Sequence, residues 1–215
     1  MAGIGQYEHP YLTVDGVILR NAGDGLEVLL DRRSDEFGEW SLPGGFVPVD
    51  KLAEDVLRRK VKEKTSVSIT FAEQLRTYDA LDRDPRGRVI SMAYLCLTNR
   101  KDPGNWFAIR GDILVCNDLI VPIDNLAFDH GQILRDALVR LSGKLWWTDL
   151  AMYLLPETFL IREISDLFEV IEGKKTGMIK RQLGPRIEEV GSDNQTGGRP
   201  AKMYRWVPAE KRKEN

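Results

Sequence analysis

Residues 44–67 (GGFVPVDKLAEDVLRRKVKEKTSV) hold the side chains whose types and spacing point most directly to chemistry. Among them, Lys60, Glu63 and Lys64 stand at i, i+3 and i+4, so a helix would place all three on one face. Carboxylates at three such positions would converge on a hard divalent cation, the kind of ion that activates water for hydrolysis. Because two of the three residues are lysines, we expect no magnesium ion, no hydrolysis and no cofactor here.

The same residues follow the spacing of a Nudix box. Counted from Gly45, the glutamate positions of that motif hold Lys51, Lys60, Glu63 and Lys64. The charge at these positions therefore changes from minus four to plus two. The preceding residues 40–47 (WSLPGGFV) resemble the strand and loop that lead into the box, which an ordinary amphipathic helix with a lysine-rich solvated face would not explain. The sequence is thus similar to the Nudix family, with a degenerate box.

Two roles are open for the lysines on the box helix. At the helical period, the apolar residues form one arc made of Leu52, Ala53, Val56, Leu57 and Val61. Lys60 and Lys64 project inside that arc, where a lysine must reach solvent, pair with an acid or line a cleft. One hypothesis is that both approach the diphosphate of ADP-ribose directly and replace the metal. The alternative is that they pair with Glu54, Asp55 or Glu63 and only fill the site.

A nucleotide pocket needs further residues around the box. In the Nudix family a loop like residues 82–88 (DRDPRGR) edges the nucleotide-ribose pocket, although composition alone indicates only a polar turn. Aromatic residues near the box could stack on adenine, and arginines could donate charge-assisted hydrogen bonds to phosphate. The predicted ligand-binding residues are Arg32, Arg33, Phe37, Trp40, Gly44, Gly45, Phe46, Lys60, Lys64, Asp82, Arg83, Arg86 and Arg88.

The segments that position these residues are mostly strands. Runs of β-branched and aliphatic residues predict strands at 11–20, 26–32, 67–78, 89–98 and 112–123. The 89–98 run is nearly continuous in apolar residues, which favours a central position in the sheet. Helical spacing then predicts a helix over 133–143 that joins two domains. His130 lies near its start, where we expect a structural role, with Asp129 as the helix cap.

Beyond residue 143 the pattern changes to short helices and a hairpin. Helices are predicted at 149–155, at 161–173 and from about Thr176 to Pro185, followed by strands at 188–190 and 203–207. Three helices followed by a basic-tipped hairpin is the order of a winged helix-turn-helix. We therefore predict an α+β protein. A Nudix-fold domain with a mixed sheet and flanking helices covers 1–142, and a winged helix-turn-helix domain covers 143–215.

Composition and charge limit the function classes. The chain of 215 residues has no apolar run of membrane length and no signal-peptide pattern, so we expect a cytoplasmic protein. The net charge is −2, yet residues 173–215 carry eleven Lys and Arg against five Asp and Glu, which indicates an anionic partner. Cys96 and Cys116 lie in apolar, strand-like runs, where buried free thiols are expected.

Motifs along nearly the whole chain resemble the NrtR family of Nudix-related regulators of NAD metabolism. These motifs are LAFDH (126–130), LLPETF (154–159), EISDLFEVIEG (163–173) and GGRPAKMYRW (197–206). The resemblance implies a repressor that binds operator DNA as a homodimer and is released or tuned by ADP-ribose or a related nucleotide. Its DNA-binding residues would be Lys174, Lys175, Thr176, Lys180 and Arg181 on the third helix, and Arg199 and Lys202 on the wing. Gly177 and Gly184-Pro185 depart from the family pattern, in which arginine is more frequent.

Two other functions stay open from the sequence. An active Nudix hydrolase of ADP-ribose, or of another nucleoside diphosphate derivative, would need the metal that Lys60 and Lys64 disfavour. A regulator of the same architecture that senses a sugar or sugar phosphate would depend on pocket side chains whose positions the sequence does not give.

Overall fold

The computed structural model describes residues 8–193 and 200–212. Its strands are β1 (Tyr11–Asn21), β2 (Leu26–Arg32), β3 (Trp40–Ser41), β4 (Gly44–Phe46), β5 (Phe71–Tyr78), β6 (Val89–Leu97), β7 (Asn105–Arg110), β8 (Ile113–Cys116), β9 (Leu119–Pro122), β10 (Thr158–Leu160), β11 (Ile187–Asp193) and β12 (Ala201–Trp206). Its helices are α1 (Ala53–Thr65), α2 (His130–Leu145), α3 (Ile161–Glu172) and α4 (Ile179–Leu183). Short 3₁₀ turns lie at Ile123–Asn125, Leu150–Tyr153, Gly184–Arg186 and Ala209–Lys211.

The larger sheet is mixed, which confirms the predicted fold class. Its main path runs β5-β6-β1-β2-β7-β8-β9, and the short strands β3 and β4 pair with β2 and β1. β1 and β6 are parallel, whereas the other neighbours along this path are antiparallel. The apolar run in β6 suits its position, because alternate residues of that strand pack into cores on opposite faces of the sheet.

Helix α1 covers one face of the sheet. Its Val56 and Leu57 are buried in one cluster with Val14 and Ile18 of β1. A β-carbon at Gly16, between those strand residues, would lie 2.8 Å from a methyl group of Leu57. Glycine at this position therefore lets the helix approach the strand closely. Because side chains alternate along a strand, Asp15 and Val17 face the other side of the sheet.

Helix α2 covers that other side and continues into the C-terminal part of the chain. Its apolar residues share one core with Val17 and Leu19 of β1. The buried apolar residues of the helix are Ile133, Leu134, Ala137, Leu141 and Leu145. Apolar residues of α3 and β12 belong to the same core, so it is continuous from the sheet through α2. The domain boundary predicted after residue 142 falls within α2 and stays a prediction.

The C-terminal part packs a small sheet against α3. β10, β12 and β11 form a three-stranded antiparallel sheet. Trp146 packs edge-on against Phe168 of α3, with ring centres 4.5 Å apart, and joins this part to the end of α2. α3 ends at Gly173, whose left-handed backbone (φ 68°) terminates the helix at the predicted place. The order α3, α4 and the β11–β12 hairpin suits a winged helix-turn-helix, which remains a prediction.

Several elements differ from the sequence prediction. The strand predicted over 112–123 is a hairpin, because Asn117 adopts a left-handed conformation (φ 52°) between β8 and β9. The sequence patterns also miss β7 and β10. The helix predicted from about Thr176 begins only at Ile179, because Met178 is left-handed (φ 55°) and interrupts the helical path. Within residues 8–193 and 200–212, no helix is long and apolar enough to cross a membrane.

Candidate functional site

A cavity of about 310 Å³ opens beside α1, between β1, the end of β2, the turn before β4, the loop 83–86 and the start of α2. This volume lies at the lower end of the range for small-molecule sites. The lining is charged rather than apolar: it includes four Asp, four Arg and one Lys side chain, together with Phe46 and Phe128. Such a lining suits a polar ligand that carries charge.

The floor of the cavity is a buried polar network around Asp15. Only 9% of this side chain is exposed. Its Oδ2 accepts a 2.5 Å hydrogen bond from the hydroxyl of Ser91, on the neighbouring strand β6. Arg83 Nη2 lies 3.6 Å from the same oxygen and His130 Nε2 lies 3.7 Å from Oδ1, and both distances exceed a normal hydrogen bond. In the described part of the chain, Oδ1 therefore accepts no hydrogen bond.

His130, the first residue of α2, is buried beside this floor. Its Nδ1 accepts a 2.9 Å hydrogen bond from the backbone N–H of Leu42, so the neutral ring carries its proton on Nε2. Burial lowers the pKa of His130, against the opposing attraction of Asp15 and Asp129. The imidazole thus ties α2 to the turn before β4, which is a structural role of the kind expected. The expected cap is absent, because the Asp129 side chain makes no hydrogen bond to the helix start.

Arg83 connects the floor of the cavity to α2. Only 4% of its side chain is exposed, and its Nε and Nη2 donate hydrogen bonds of 3.0 and 2.7 Å to the two carboxylate oxygens of Asp129. Arg83 also lines a second groove, of about 500 Å³, with Phe37, Asp82 and Phe128. Arg83 and Phe128 are therefore a wall shared by the cavity and the groove.

Arginine and phenylalanine form the mouth of the cavity. Arg86 donates hydrogen bonds of 2.9 and 2.7 Å to the two oxygens of Asp84, which lowers the pKa of that carboxyl. The guanidinium carbon of Arg86 also lies 5.3–6.0 Å from the ring centres of Phe37, Phe46 and Phe128. Phe128 has a left-handed backbone (φ 56°), which is uncommon for a bulky residue and is typical of functional sites. A nucleobase can stack on such rings and on a guanidinium plane.

Two more arginines at the mouth are already paired. Arg33 forms a bidentate ion pair with Asp35, and the hydrogen bonds that Arg33 donates lower the pKa of that carboxyl. Its guanidinium carbon also lies 4.8 Å from the ring centre of Phe128. Arg32 contacts Glu39 at 2.9 Å in an exposed pair. The cations at the mouth are thus held in place by neighbouring acids.

Lys64, at a position where the spacing in the sequence predicts a box glutamate, lines the cavity. Its Nζ donates a 2.5 Å hydrogen bond to Asp31 Oδ2, near the end of β2. Lys60 is not among the residues that line the cavity. The aliphatic part of its side chain packs on Gly45, and a β-carbon added to that glycine would lie 3.6 Å from Lys60 Cε. Within the described residues, the ammonium of Lys60 has no acidic partner within 4.0 Å. Only one of the two lysines therefore reaches the cavity.

The box helix does not fit a magnesium ion. Glu63, the one carboxylate left at a box position, pairs with Arg59 at 3.1 Å, and Glu54 pairs with Arg58 at 2.9 Å. The pairing alternative proposed these acids and Asp55 as partners of the two lysines, and none of them is a partner. Across the described ranges, no group of three or more His, Cys, Asp or Glu could hold a metal ion. We therefore derive no catalytic step through a metal.

Gly44 is required by crowding at the cavity wall. A β-carbon there would lie 2.1 Å from the carbonyl oxygen of Val14 and 2.6 Å from Asp15 Oδ1. A β-carbon added at Gly45 would lie 3.6 Å from its nearest neighbouring atom, which is an ordinary van der Waals contact. Packing thus fixes only the first glycine of this pair.

The structure brings part of the predicted ligand-binding set together. Phe37 and Asp82 line the neighbouring groove rather than the cavity. Trp40 is buried in the core, and Arg88 points to backbone carbonyls of the preceding loop, so neither lines the cavity. The predicted residues that line the cavity are Arg32, Arg33, Gly44, Gly45, Phe46, Lys64, Arg83 and Arg86.

The sequence reasoning does not identify three of the four carboxylates of the cavity, which are Asp15, Asp31 and Asp35. The fourth, Asp84, lies in the loop 82–88 that is expected to edge the pocket. One signal could have found Asp15, because a single acid inside the apolar run 14–19 is costly to bury unless it has partners or a function. Phe128 also escapes, although it lies in the LAFDH motif, because nothing local indicates that its ring turns toward the cavity.

The predicted DNA-binding residues lie around the short helix α4. Lys180 and Arg181 are on the helix. Lys180 Nζ donates a 2.8 Å hydrogen bond to the hydroxyl of Tyr204 on β12, whereas Arg181 is exposed and has no ion-pair partner in the described residues. The residues that precede the helix instead of belonging to it are Lys174, Lys175 and Thr176.

The remaining candidates differ in how much the structure says about them. Lys202 on β12 donates a 2.8 Å hydrogen bond to Glu189 on β11. Lys174 lies 3.6 Å from Glu172, at the end of α3. Arg199, predicted at the tip of the wing, falls outside the described residues.

Comparison with known proteins adds evidence independent of this geometry. Residues 10–137 match the NUDIX domain family. The "ADPR responsive transcriptional repressor NtrR" of Acinetobacter baylyi is 30% identical over 218 aligned residues, which cover 94% of this chain and 84% of that protein. An ADP-ribose pyrophosphatase of Methanocaldococcus jannaschii is 34% identical over 133 residues, which cover 60% of this chain and 74% of the relative.

Solved structures of a third relative cover both parts of the chain. Shewanella oneidensis NrtR complexed with a 27mer DNA has a TM-score of 0.74 and 29% identity, over 91% of this chain and 93% of that one. The NUDIX domain of the same protein complexed with ADP ribose has a TM-score of 0.51 and 31% identity, over 65% and 94% of the two chains. Because the NUDIX match spans more than half of the chain, and the repressor match most of both chains, this protein belongs to the NUDIX domain family and, within it, to the NrtR regulators.

Proposed function

We propose that the chain is a DNA-binding regulator whose Nudix domain binds ADP-ribose, or a related nucleotide, without hydrolysing it. The observation that carries this proposal is the position of Lys64, a cation that stands at a metal-binding position of the box and lines a charged cavity. The relatives support the choice of partners, because one is ADPR responsive and another was solved both with ADP ribose and with DNA.

The cavity offers what a nucleoside diphosphate sugar requires. A guanidinium has five N–H donors, so Arg33 and Arg86 keep donors for phosphate while they pair with aspartates. The phenylalanine rings at the mouth offer a stacking surface for a base. Because the aspartates hold the cations in place before the ligand arrives, less side-chain freedom is lost when it binds.

Hydrolysis is not expected at this site. A Nudix enzyme needs a metal that acts as Lewis acid and activates water. The ammonium of Lys64 can neutralise a phosphate, but it is a hydrogen-bond donor only and cannot accept a proton from water. Binding should therefore persist where catalysis is lost.

Residues 143–215 form the DNA-binding part in this proposal. Positive charge is concentrated in residues 173–215 of this part, and Arg181 can contact a phosphate without giving up an existing pair in the described residues. Lys180 has a different role, because its hydrogen bond to Tyr204 fixes α4 against the hairpin. A homodimer would place two such units on an operator with two-fold symmetry.

Helix α2 provides a route between the two parts. Asp129, just before its first residue, is bound by Arg83 of the cavity wall. At its other end, Trp146 packs against Phe168 of α3. A ligand that displaces Arg83 therefore acts on the element that supports the DNA-binding part. Coupling of this kind works in both directions, so DNA should also change the affinity for the ligand.

A second function, hydrolysis of ADP-ribose, is favoured by one observation: the identity to the Methanocaldococcus ADP-ribose pyrophosphatase over the Nudix domain. The two functions differ in their need for metal. Calorimetry of the full-length protein with ADP-ribose, in EDTA and in magnesium, separates them when the same samples are assayed for AMP.

We expect equal affinity in EDTA and in magnesium, with no AMP above background, because Lys64 needs no metal to meet a diphosphate. Magnesium-dependent release of AMP that is lost in Glu63→Gln would establish the hydrolase instead. Failure of ADP-ribose to bind under either condition would rule out the proposed ligand.

A further inference from the structure

The carboxylate of Asp15 lies on the floor of the cavity, and only one of its two oxygens accepts a hydrogen bond from the described residues. Oδ2 accepts a 2.5 Å hydrogen bond from Ser91. Oδ1 has no donor within hydrogen-bonding distance in the described residues, although more than nine tenths of the side chain is buried. Because Asp15 lines the cavity, a ligand can reach this oxygen. An acceptor that lines a cavity and is left without a donor from the described residues favours a role in binding over a role in stability.

The surroundings of Oδ1 keep it open. Arg83 is bound to both oxygens of Asp129, so it cannot close on Asp15 without breaking that pair. The ring of His130 is fixed by its own hydrogen bond to the backbone, with Nε2 3.7 Å from Oδ1. At Gly44, any side chain would come within 2.6 Å of Oδ1. The fold thus holds the nearby donors just beyond hydrogen-bonding distance of Asp15, which lines the cavity.

We propose that Asp15 recognises the distal sugar of the bound nucleotide, because its Oδ1 accepts hydrogen bonds from the hydroxyl groups of that sugar. The inference rests on the proposed function and adds a determinant of ligand specificity. A carboxylate only accepts hydrogen bonds, so it selects hydroxyl or N–H donors and disfavours a phosphate.

The placement of the other groups gives the ligand its direction. The rings of Phe46 and Phe128 lie at the mouth, which suits the base. Lys64 lines the cavity at a former metal position, which suits the diphosphate. The distal sugar then reaches the floor, where Thr13 and Ser41 line the same cavity as Asp15.

ADP-ribose and ADP provide a matched pair of ligands, because only ADP-ribose carries the distal sugar. We expect Asp15→Asn in the full-length protein to weaken ADP-ribose about tenfold or more, which is typical for loss of a hydrogen bond to a charged group. The affinity for ADP should stay within about twofold, because ADP does not reach the floor. Calorimetry with both ligands measures the two ratios.

Ser91→Ala is the control variant, because it removes the hydrogen bond to the other oxygen of Asp15 and leaves Oδ1 as it is. It should change both affinities by the same factor. If Asp15→Asn also weakens ADP-ribose and ADP by equal factors, Asp15 acts only through the shape of the site and the proposal is wrong.

A change in the ligand gives a test that does not depend on the folding of a variant. An ADP-ribose analogue with methylated distal-ribose hydroxyls should bind the unmodified protein no more tightly than ADP. Binding as tight as that of ADP-ribose would overturn the role of Asp15 while leaving the proposed function intact. If neither ADP-ribose nor ADP binds at all, the proposed function fails, and this inference fails with it.

Discussion

Removal of Lys64 should weaken ligand binding much more than it weakens the fold. The Lys64–Asp31 pair is partly exposed, with 43% and 22% of the two side chains accessible, so it stabilises the protein by less than about 1 kcal/mol. In the proposed complex the same ammonium meets a diphosphate. A hydrogen bond between charged groups contributes about 2 kcal/mol, so Lys64→Ala should raise the Kd for ADP-ribose about thirtyfold.

Asp31 makes this prediction more specific. Without Lys64, its carboxylate faces the diphosphate with no partner and adds repulsion to the lost attraction. The double variant Lys64→Ala/Asp31→Asn removes that repulsion, so it should bind ADP-ribose more tightly than Lys64→Ala but more weakly than the unmodified protein.

Calorimetry in EDTA measures these affinities, and thermal unfolding without ligand checks the fold. Lys62→Ala is a matched control on the same helix, because Lys62 binds the Ser66 carbonyl and the Ser68 hydroxyl and lies outside the cavity lining. The Kd of this control should not change. Equal affinities in Lys64→Ala and Lys62→Ala would refute the idea that a lysine replaces the metal.

Three further predictions concern the fold, the DNA and pH. Gly44→Ala should destabilise the protein by about 3 kcal/mol or more in urea unfolding because of the clash with the Val14 carbonyl, whereas Gly45→Ala should cost less than about 1 kcal/mol; equal costs would contradict the packing argument. Arg181→Ala should weaken binding to all DNA sequences and reduce the slope of log K against log salt by about one unit in fluorescence anisotropy, and an unchanged slope would exclude a phosphate contact. Burial lowers the pKa of His130, so the unfolded chain binds a proton on this imidazole more readily than the folded protein does. The stability that the buried neutral ring contributes is therefore complete above about pH 6.5 and decreases below it. Unfolding free energies measured in urea between about pH 7.5 and about pH 5.5 should therefore fall less steeply in His130→Asn, and parallel profiles would contradict this assignment.

The sequence predicts the strands of the Nudix domain well where residue pattern and local chemistry agree. β1 and β2 lie within a residue of the predicted bounds, because their β-branched and aliphatic residues flank a turn of Asn, Asp and Gly. The predicted bounds of the strand 112–123 and of the last helix are wrong for one reason. Asn117 and Met178 adopt left-handed conformations that side-chain periodicity does not report, so a continuous pattern conceals a turn in each case.

The site is harder to predict because its members come from distant segments. Residue type and proximity to the box suggest Arg86 and Arg88 equally, but only Arg86 turns to the cavity, where Asp84 holds it. Trp40 suits a nucleotide pocket by type, yet its place on β3 sends the ring into the core against Phe107. Asp31 becomes visible only once β2 and α1 are adjacent, since it lies 33 residues from its partner Lys64. Spacing in the sequence therefore locates the box but not the acids around it.

The most direct test of ligand-responsive DNA binding is an anisotropy titration of the full-length protein on DNA from its own promoter, with and without ADP-ribose in EDTA. We expect ADP-ribose to change the Kd for DNA by about fivefold or more, within the usual range of coupling energies, and we expect Lys64→Ala to need a higher ADP-ribose concentration for the same change. Tight DNA binding that saturating ADP-ribose leaves unaltered would contradict the coupling of the cavity to the DNA-binding part, and with it the assignment of this chain as an ADP-ribose-responsive regulator.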